Sequence, residues 1–146
     1  MTSYRISTDR NEMDVTAIHA YLSRSYWSAN IPLEIVAKAI ANSLCFGVFD
    51  DSRQVGFARV VTDKATFAYL CDVYVLEQHR SRGLSKRLME AVCAHPELQG
   101  LRRFSLDTWD AHGLYEKFGF KAPMRPDAHM EIVRPGIYME GKNKAI

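Results

Sequence analysis

A run of ten residues at 67–76, FAYLCDVYVL, constrains the fold more than any other part of this chain. It is apolar on both faces of an extended chain, which is typical of a strand in the middle of a sheet. A basic loop follows. An apolar face at helical spacing then runs from Leu84 to Val92, and this helix must end near His95 because Pro96 comes next. A buried strand followed by a crossover helix predicts an α/β fold with a parallel strand pair.

The other segments predict a mixed sheet with helices packed on it. Apolar residues at helical spacing indicate helices over 15–22, after Pro32, and over 113–119, where Gly119 closes a short helix. Alternating and β-branched residues predict further strands at 4–6, 44–50, 55–61, 102–109 and 128–134. The expectation is one α/β domain with a mixed sheet of about six to seven strands and about four helices.

Length, charge and hydropathy limit the domain count and the partners. The 146 residues suit one domain spanning 1–146, in which only the last residues, 141–146, are expected to be flexible. A net charge of +2 lacks the basic footprint of a nucleic-acid binder, so we expect no nucleic-acid partner. The polar N-terminus lacks the order of a secretory signal, and no apolar stretch reaches the roughly 20 residues of a membrane span. We therefore expect no membrane association.

The cysteines and histidines indicate a reducing compartment and no metal. Cys45, Cys71 and Cys93 are odd in number, lie in apolar runs and show no CxxC spacing, which is typical of buried, reduced thiols. A cytoplasmic location is the expectation for such a pattern. The histidines form no metal-binding spacing with one another or with the cysteines, so we expect no metal.

The loop at 77–86, between the predicted strand and helix, has the composition of an anion-binding site. Backbone N–H groups and the partial positive charge of a helix N-terminus favour phosphate there. Gly83 lets the backbone approach an anion, and Arg80, Arg82 and Lys86 can add charge-assisted contacts. A loop with solvated basic side chains is the alternative interpretation. Walker and dinucleotide-binding loops are excluded, because the segment contains neither GxxxxGK[ST] nor GxGxxG.

The spelling of this loop, Arg80-Ser-Arg-Gly83-Leu-Ser85, resembles motif A of the GCN5-related N-acetyltransferase (GNAT) family, which is [QR]-x-x-G-x-[GA] after a strand that ends in valine. A second segment, AHGLYEKFGF at 111–120, resembles the family element A-x-x-[LY]-Y-x-x-x-G-F. Ser85 replaces the usual glycine or alanine. Since serine is small, a weakened pyrophosphate contact is expected rather than lost binding. With the order of strands and helices, the resemblance covers nearly the whole chain.

The resemblance implies acetyl-CoA as the acyl donor, bound where the central pair of parallel strands splays apart into a cleft. Backbone groups around Tyr74 and Val75 would pair with the pantetheine arm, and one N–H would polarise the thioester carbonyl. The loop would hold the pyrophosphate. The implied cofactor-binding residues are Tyr74, Val75, Arg80, Ser81, Arg82, Gly83, Leu84, Ser85 and Lys86.

Tyr115 is the first candidate catalytic residue. Its phenol has an ordinary pKa of about 10, so it stays protonated near neutral pH and can donate a proton to a departing thiolate. The alternative interpretation makes Tyr115 a core aromatic of a short helix, packed beside Leu114 and Phe118.

Asp72 is the second candidate catalytic residue. An acid inside an apolar strand is costly to bury unpaired, so it is a candidate general base at the acceptor site. A structural partner, with Arg59 as the opposite charge, is the alternative. Strict alternation puts Asp72 on the same side as Leu70 and Tyr74, unless a bulge intervenes.

Aromatic residues near the first helices are the candidate acceptor contacts. Tyr26 and Trp27, with Tyr21 and Phe46, suit an apolar or cationic acceptor through π-face contacts, and core packing is their alternative. The resemblance implies transfer to the amine of a small-molecule or amino-acid-like acceptor by direct attack on the thioester. O-acetylation, a longer acyl donor and a homodimer stay open. A non-catalytic CoA-binding regulatory module with the same fold is the alternative function.

Overall fold

The computed structural model describes residues 3–139, so the expected flexible end at 141–146 lies outside the described residues. One five-stranded sheet runs in chain order from β1 to β5, with antiparallel pairing up to β4 and parallel pairing of β4 with β5. The strands are β1 (Tyr4–Ser7), β2 (Leu44–Asp50), β3 (Arg53–Thr62), β4 (Phe67–Val75) and β5 (Arg103–Leu106). The α-helices are α1 (Val15–Leu22), α2 (Leu33–Ala41), α3 (Leu84–Ala94) and α4 (His112–Glu116).

Two apolar clusters, one on each face of the sheet, hold the helices in place. On one face α3 packs through Leu88 and Val92, which are fully buried. On the other face α1 and α2 pack through Ile18 and Val36 against Phe57 of β3. Each such side chain stabilises the fold by about 1.5–3 kcal/mol relative to leaving it in water. The sheet is therefore a rigid platform between two helical layers.

A β-bulge at Asp72 changes which face the residues of β4 present. The register between β3 and β4 shifts there, and Asp72 has a φ of +56°, a left-handed conformation that Asp and Asn adopt more readily than most residues. Leu70 packs in the cluster under α3, whereas Tyr74 packs in the cluster under α1 and α2. Asp72 lies on the same side as Tyr74, beside Phe57. The bulge thus separates Asp72 from Leu70, which strict alternation had placed together.

The parallel pair of strands separates after a short ladder. Residues 67–70 of β4 pair with residues 103–106 of β5, where β5 ends, whereas β4 continues to Val75. Within residues 3–139, no strand lies beside residues 71–75 on this edge. The result is an opening beside residues 71–75, which we call the gap, and it lies where the resemblance implied the cofactor cleft.

The strand count is a correction to the sequence prediction, because the described residues form five strands rather than six to seven. The predicted last strand at 128–134 is not a strand, and the predicted strand at 102–109 is shortened to β5. Met130 is 91% exposed and Ile132 is 75% exposed. Their β-propensity is not sufficient, because a strand also needs a neighbour that supplies hydrogen bonds and an apolar face to cover.

The cysteine thiols are free. Cys45 is buried, whereas Cys71 and Cys93 are half-buried. Burial raises the pKa of Cys45 to about 11 and that of Cys71 to about 12, so these thiols are protonated at neutral pH. Across residues 3–139, no helix has both the length and the apolar character that a membrane crossing needs.

Candidate active site

The end of β4 presents backbone polar groups to the gap. Leu76 donates its N–H to the Val55 carbonyl of β3 at 2.8 Å, so alternation directs the backbone groups of Leu76 and Tyr74 toward β3. The groups of Val73 and Val75 consequently point the other way, into the gap. The direction of the backbone groups favours Val75 and Val73 over Tyr74 at the gap, and the cofactor-binding roles of Tyr74 and Val75 stay predictions.

The N-terminus of α3 forms a second polar feature beside the gap. The first intrahelical bond runs from the Arg87 N–H to the Gly83 carbonyl at 3.1 Å, and no side chain of the described residues caps the helix. The N–H groups of residues 84–86 are therefore free of helical partners. Leu84 and Ser85 border a cavity of about 150 Å³, which we call the loop cavity. It is lined by Val75, His79, Arg80, Ser81, Gly83, Leu84 and Ser85.

The two arginines of the loop are held by tyrosines. Arg80 donates from Nε to the Val75 carbonyl at 2.9 Å and from Nη2 to the Tyr21 hydroxyl at 3.0 Å. Arg82 donates from Nη1 to the Tyr4 hydroxyl at 2.7 Å. Arg80 therefore stays in the loop cavity, and Arg82 turns toward β1. Of the predicted basic contacts, the side chains of Arg82 and Lys86 lie outside the lining.

Tyr115 lies on α4 with a buried ring and an accessible hydroxyl. The residue is 8% exposed, and its ring packs edge-on against Phe120 with centroids 6.1 Å apart. Its hydroxyl has no hydrogen-bond partner within the described chain, where every fully buried side-chain oxygen is satisfied, so solvent reaches this hydroxyl. Burial, followed by the nearby Asp110 and Tyr26, raises the pKa of Tyr115. The phenol is therefore a protonated donor at neutral pH.

Asp72 binds Arg59, the structural partner that the sequence suggested, and also Trp27. Its Oδ2 accepts from Arg59 Nε at 2.8 Å, and its Oδ1 accepts from Trp27 Nε1 at 2.9 Å. Arg59 also donates to the Ser43 hydroxyl at 3.0 Å. Burial is the largest single effect and lowers the pKa of Arg59, but the charge and hydrogen bond of Asp72, together with the nearby Cys71 and Cys45, outweigh it and raise this pKa. A carboxylate has about four lone-pair sites, so Asp72 keeps the capacity to accept from another donor.

A larger cavity of about 180 Å³ opens beside Asp72, on the face that carries α1 and α2. We call it the aliphatic cavity, because its walls are mostly aliphatic and its charged pair lies at one place in the lining. It is lined by Leu22, Ser28, Ile31, Ile35, Val36, Ala39, Ile40, Phe57, Arg59, Asp72 and Tyr138. An apolar cleft with a few polar groups is typical of a small-molecule site.

The predicted aromatic contacts divide between the site and the core. Tyr26 and Trp27 are 64% and 41% exposed, and their rings meet edge-on with centroids 5.0 Å apart. Tyr21 stacks on Tyr74 with centroids 4.0 Å apart. Phe46 is fully buried in the cluster under α3. Tyr21 and Trp27 thus contact the Tyr74 and Asp72 side chains of β4, Tyr26 packs on Trp27, and Phe46 belongs to the core.

Residues 41–122 match the sequence profile of the acetyltransferase (GNAT) domain, a span that includes both motifs. The chain belongs to the GNAT acetyltransferase family. This N-acetyltransferase is 56% identical to a predicted GNAT acetyltransferase from Xanthomonas campestris pv. campestris, whose crystal structure matches it with a TM-score of 0.92, over 95% of this chain and 99% of that one. It is 32% identical to a predicted acetyltransferase from Gibberella zeae, over 78% of this chain and 76% of the relative.

A more distant relative shows how widely the fold of this acetyltransferase is shared. The crystal structure of a predicted acetyltransferase from Clostridium acetobutylicum, determined with acetyl-CoA, matches it with a TM-score of 0.65 at 14% identity. The match covers 91% of this chain and 96% of that chain. At this identity the likeness concerns the fold.

Sequence reasoning missed three residues of the acetyltransferase that border these features. The outward direction of the Val73 backbone follows from the hydrogen-bond register between β4 and β3, for which the strand pattern carries no signal. His79 lines the loop cavity with Nδ1 2.8 Å from the Tyr4 hydroxyl, and its place directly before Arg80 was the available signal. Tyr138 reaches the aliphatic cavity from a segment without regular secondary structure, so no periodicity could have found it.

Proposed function

We propose that this enzyme transfers the acetyl group of acetyl-CoA to the amine of a small-molecule or amino-acid-like acceptor, by direct attack of the amine on the thioester. The observation that carries the proposal is the gap, which joins outward backbone groups of β4 to the uncapped N-terminus of α3. A long, thin ligand with a phosphate end suits that arrangement, because N–H groups at a helix start favour anions.

The residues around the gap fit acetyl-CoA on their own chemistry. The free N–H groups of residues 84–86 and the guanidinium of Arg80 suit the pyrophosphate. The outward N–H and C=O groups of Val73 and the outward N–H of Val75 suit the amide-bearing pantetheine arm, whereas the Val75 carbonyl already accepts from Arg80. The Clostridium acetobutylicum relative was crystallised with acetyl-CoA, which supports the same donor here. We place Ser81 and Gly83, which line the loop cavity, beside the phosphates as part of this proposal. Arg82 is held at the Tyr4 hydroxyl and would have to leave it to contact a phosphate.

Two groups of this chain act on the thioester in the proposed reaction. The Val73 N–H donates to the thioester oxygen, where negative charge gathers as the amine attacks. Acetyl-CoA supplies the acetyl group, and the new C–N bond replaces the C–S bond. Tyr115 donates its phenolic proton to the leaving thiolate, so that CoA departs as a thiol.

The acceptor must lose protons to become a nucleophile and then an amide. Asp72 lies on the acceptor side of β4 and keeps lone-pair capacity beyond Arg59 and Trp27. We assign it to hold the acceptor ammonium and to take its first proton, directly or through water. The second proton, lost as the amide forms, restores the phenol of Tyr115 after that residue has protonated the thiolate. Tyr26 and Trp27 border the acceptor on the other side and offer their π-faces to the cation.

The direct test is release of the CoA thiol from acetyl-CoA in the presence of a panel of primary amines, with mass spectrometry of the acetylated product. We expect acceptor-dependent thiol release and an amide product. If no amine in the panel raises thiol release above the rate measured without an acceptor, and CoA still binds tightly, the results would support a non-catalytic CoA-binding module instead. An acetylated hydroxyl rather than an amine would overturn the acceptor assignment.

Replacing Gly83 with Ala weakens acetyl-CoA binding about tenfold. Gly83 has a φ of +73°, and a left-handed conformation costs a non-glycine residue roughly 1–2 kcal/mol. An added Cβ meets nothing within 4 Å, so the strain acts through the backbone of the loop rather than through a clash. Isothermal titration calorimetry with acetyl-CoA measures the change.

Gly100→Ala is the matched control for Gly83→Ala. Gly100 has a φ of +71° and equally open surroundings, but it lies outside the loop cavity. We expect both variants to lose similar stability, and only Gly83→Ala to lose acetyl-CoA affinity. Equal acetyl-CoA affinities for the two variants would contradict the binding of the phosphates at the loop cavity.

A cytoplasmic location and a homodimer stay predictions of the same proposal. The free cysteine thiols are compatible with a reducing compartment. Sedimentation of the purified enzyme measures the oligomeric state directly.

A further inference from the structure

The aliphatic cavity is more apolar than acetyl transfer requires. The reaction involves only the nitrogen of the acceptor, yet Ile35 and Ala39, which keep accessible surface, line the cavity, and the buried Val36, Ile40 and Phe57 stand behind them. Leu22 and Ile31, also buried, extend the same wall. A wall of this kind favours an apolar group over water. The cavity therefore selects the substituent of the acceptor rather than its reacting end.

The volume of the cavity sets the size of that substituent. It measures about 180 Å³. A protein cavity of about 150 Å³ with similar Leu, Ile and Phe walls holds one benzene molecule. A branched four- or five-carbon chain or a phenyl ring therefore fills most of the aliphatic cavity, whereas a methyl group leaves most of it empty.

The charged residues of the lining set the charge of the acceptor. Asp72 and Arg59 are the charged residues of the lining, and Arg59 already donates to Asp72 and to Ser43. An ammonium next to Asp72 meets an opposite charge. A carboxylate on the same molecule would lie close to the Asp72 carboxylate, and like charges at such distances repel.

The position of Asp72 connects this cavity to the gap. Asp72 directly precedes Val73, and consecutive Cα atoms are about 3.8 Å apart. The side chain of Asp72 faces the aliphatic cavity, whereas the backbone of Val73 faces the gap. A nitrogen held at Asp72 is thus next to any carbonyl that accepts from the Val73 N–H.

Building on the proposed function, the geometry points to a specific acceptor class: a primary amine without a carboxylate, whose apolar substituent is between isobutyl and phenyl in size and occupies the aliphatic cavity. The ammonium binds Asp72, loses its proton there and attacks the thioester carbon as the free amine. The C–N bond forms as the C–S bond breaks, and the products are an N-acetyl amine and CoA.

The test compares four acceptors at saturating acetyl-CoA: 3-methylbutylamine, benzylamine, ethylamine and leucine. Leucine is 3-methylbutylamine with a carboxylate added, so this pair isolates the charge. Each buried CH₂ group contributes about fourfold in affinity, so we expect kcat/KM for 3-methylbutylamine to exceed that for ethylamine by about 60-fold. We also expect it to exceed that for leucine. A preference for ethylamine or for leucine would overturn the proposal.

A pair of variants on α2 tests whether the aliphatic cavity is responsible. Ala39→Leu adds bulk inside the lining, whereas Ala37→Leu adds the same bulk on the exposed face of the same helix. We expect Ala39→Leu to lower the ratio of kcat/KM for 3-methylbutylamine over ethylamine by at least about tenfold, since an overfilled site rejects the larger group. We expect Ala37→Leu to leave this ratio unchanged. Equal ratios in the two variants would contradict the proposal.

A binding measurement on the wild-type enzyme separates this inference from the proposed function. With CoA bound, 3-methylbutylamine should shift the methyl NMR signals of Val36 and Ile40. If these signals shift while no amine is acetylated, the acetyl-transfer proposal fails and the cavity assignment survives. If polar amines are acetylated and these signals do not respond to 3-methylbutylamine, acetyl transfer stands and the cavity assignment is overturned. The measurement needs no variant, so a poorly folded Ala39→Leu protein leaves the proposal testable.

Discussion

Replacing Tyr115 with Phe lowers kcat between about 10²-fold and 10⁴-fold and changes the dissociation constant of acetyl-CoA by less than about twofold. The variant removes one hydroxyl and keeps the ring that packs on Phe120. Without the phenol, the thiolate must leave unprotonated or take its proton from water. Steady-state kinetics with a good acceptor, together with calorimetry for acetyl-CoA, measure both quantities.

Two further measurements show that the effect is chemical. The Tyr115 hydroxyl has no partner within residues 3–139, so its loss should leave the thermal unfolding midpoint almost unchanged. Burial raises the pKa of Tyr115, so the proton donor stays protonated past the ordinary tyrosine value of about 10 and is lost only as the pH rises through the raised pKa. The wild-type kcat should therefore hold to above pH 10, and the Phe variant should lack this alkaline limb. An unchanged kcat would remove Tyr115 from the mechanism.

Replacing Asp72 with Asn lowers the free energy of unfolding by about 3 kcal/mol, because it leaves the charge of Arg59 without its partner in a mostly buried place. The side chains of Asp72 and Arg59 are only 9% and 19% exposed. Asn is the informative replacement, since it tolerates the left-handed backbone at this position and can still accept from Trp27. Urea unfolding measures the loss.

Two controls isolate the charge at Asp72. Glu77→Gln breaks the exposed pair between Arg24 and Glu77, and surface pairs contribute little, so this variant should unfold almost like the wild type. Adding Arg59→Met to Asp72→Asn removes the orphaned charge and should recover much of the lost stability. A stability loss in Asp72→Asn no larger than that in Glu77→Gln would contradict the buried pair.

The same Asp72→Asn protein tests the general base. We expect kcat/KM for the amine to fall at least about 10²-fold, measured well below the unfolding midpoint. An Asp72→Asn protein with full activity at every pH would leave Asp72 a purely structural residue. Trp27 would then also be a structural residue, whose indole N–H stabilises the ion pair between Asp72 and Arg59.

Much of the fold was predictable, because it follows from local patterns. Helical spacing located α1, α2 and α3, and the proline at 96 correctly placed the end of α3. The loop at 80–85 and the element at 111–120 identified the family, which the domain match confirmed. These features depend on residues close together in the chain. The prediction of a last strand was wrong because strand formation also depends on residues far away in the chain. Residues 128–134 have strand-forming side chains, but no strand of the described residues lies beside them.

The sequence by itself determined the order of helices and strands from β1 to α4 and the parallel pairing of the last two strands. It also predicted an anion-binding loop and singled out Tyr115 and Asp72 as candidates. Only the tertiary structure decided what surrounds them. The bulge turns Asp72 toward Arg59 and Trp27, and the hydrogen-bond register between β4 and β3 directs the backbone of Val73 to the gap. The aliphatic cavity forms where α1, α2, β3 and a distant Tyr138 meet. These contacts join residues far apart in the chain, and their free energies depend on packing and charge pairing that no local pattern encodes.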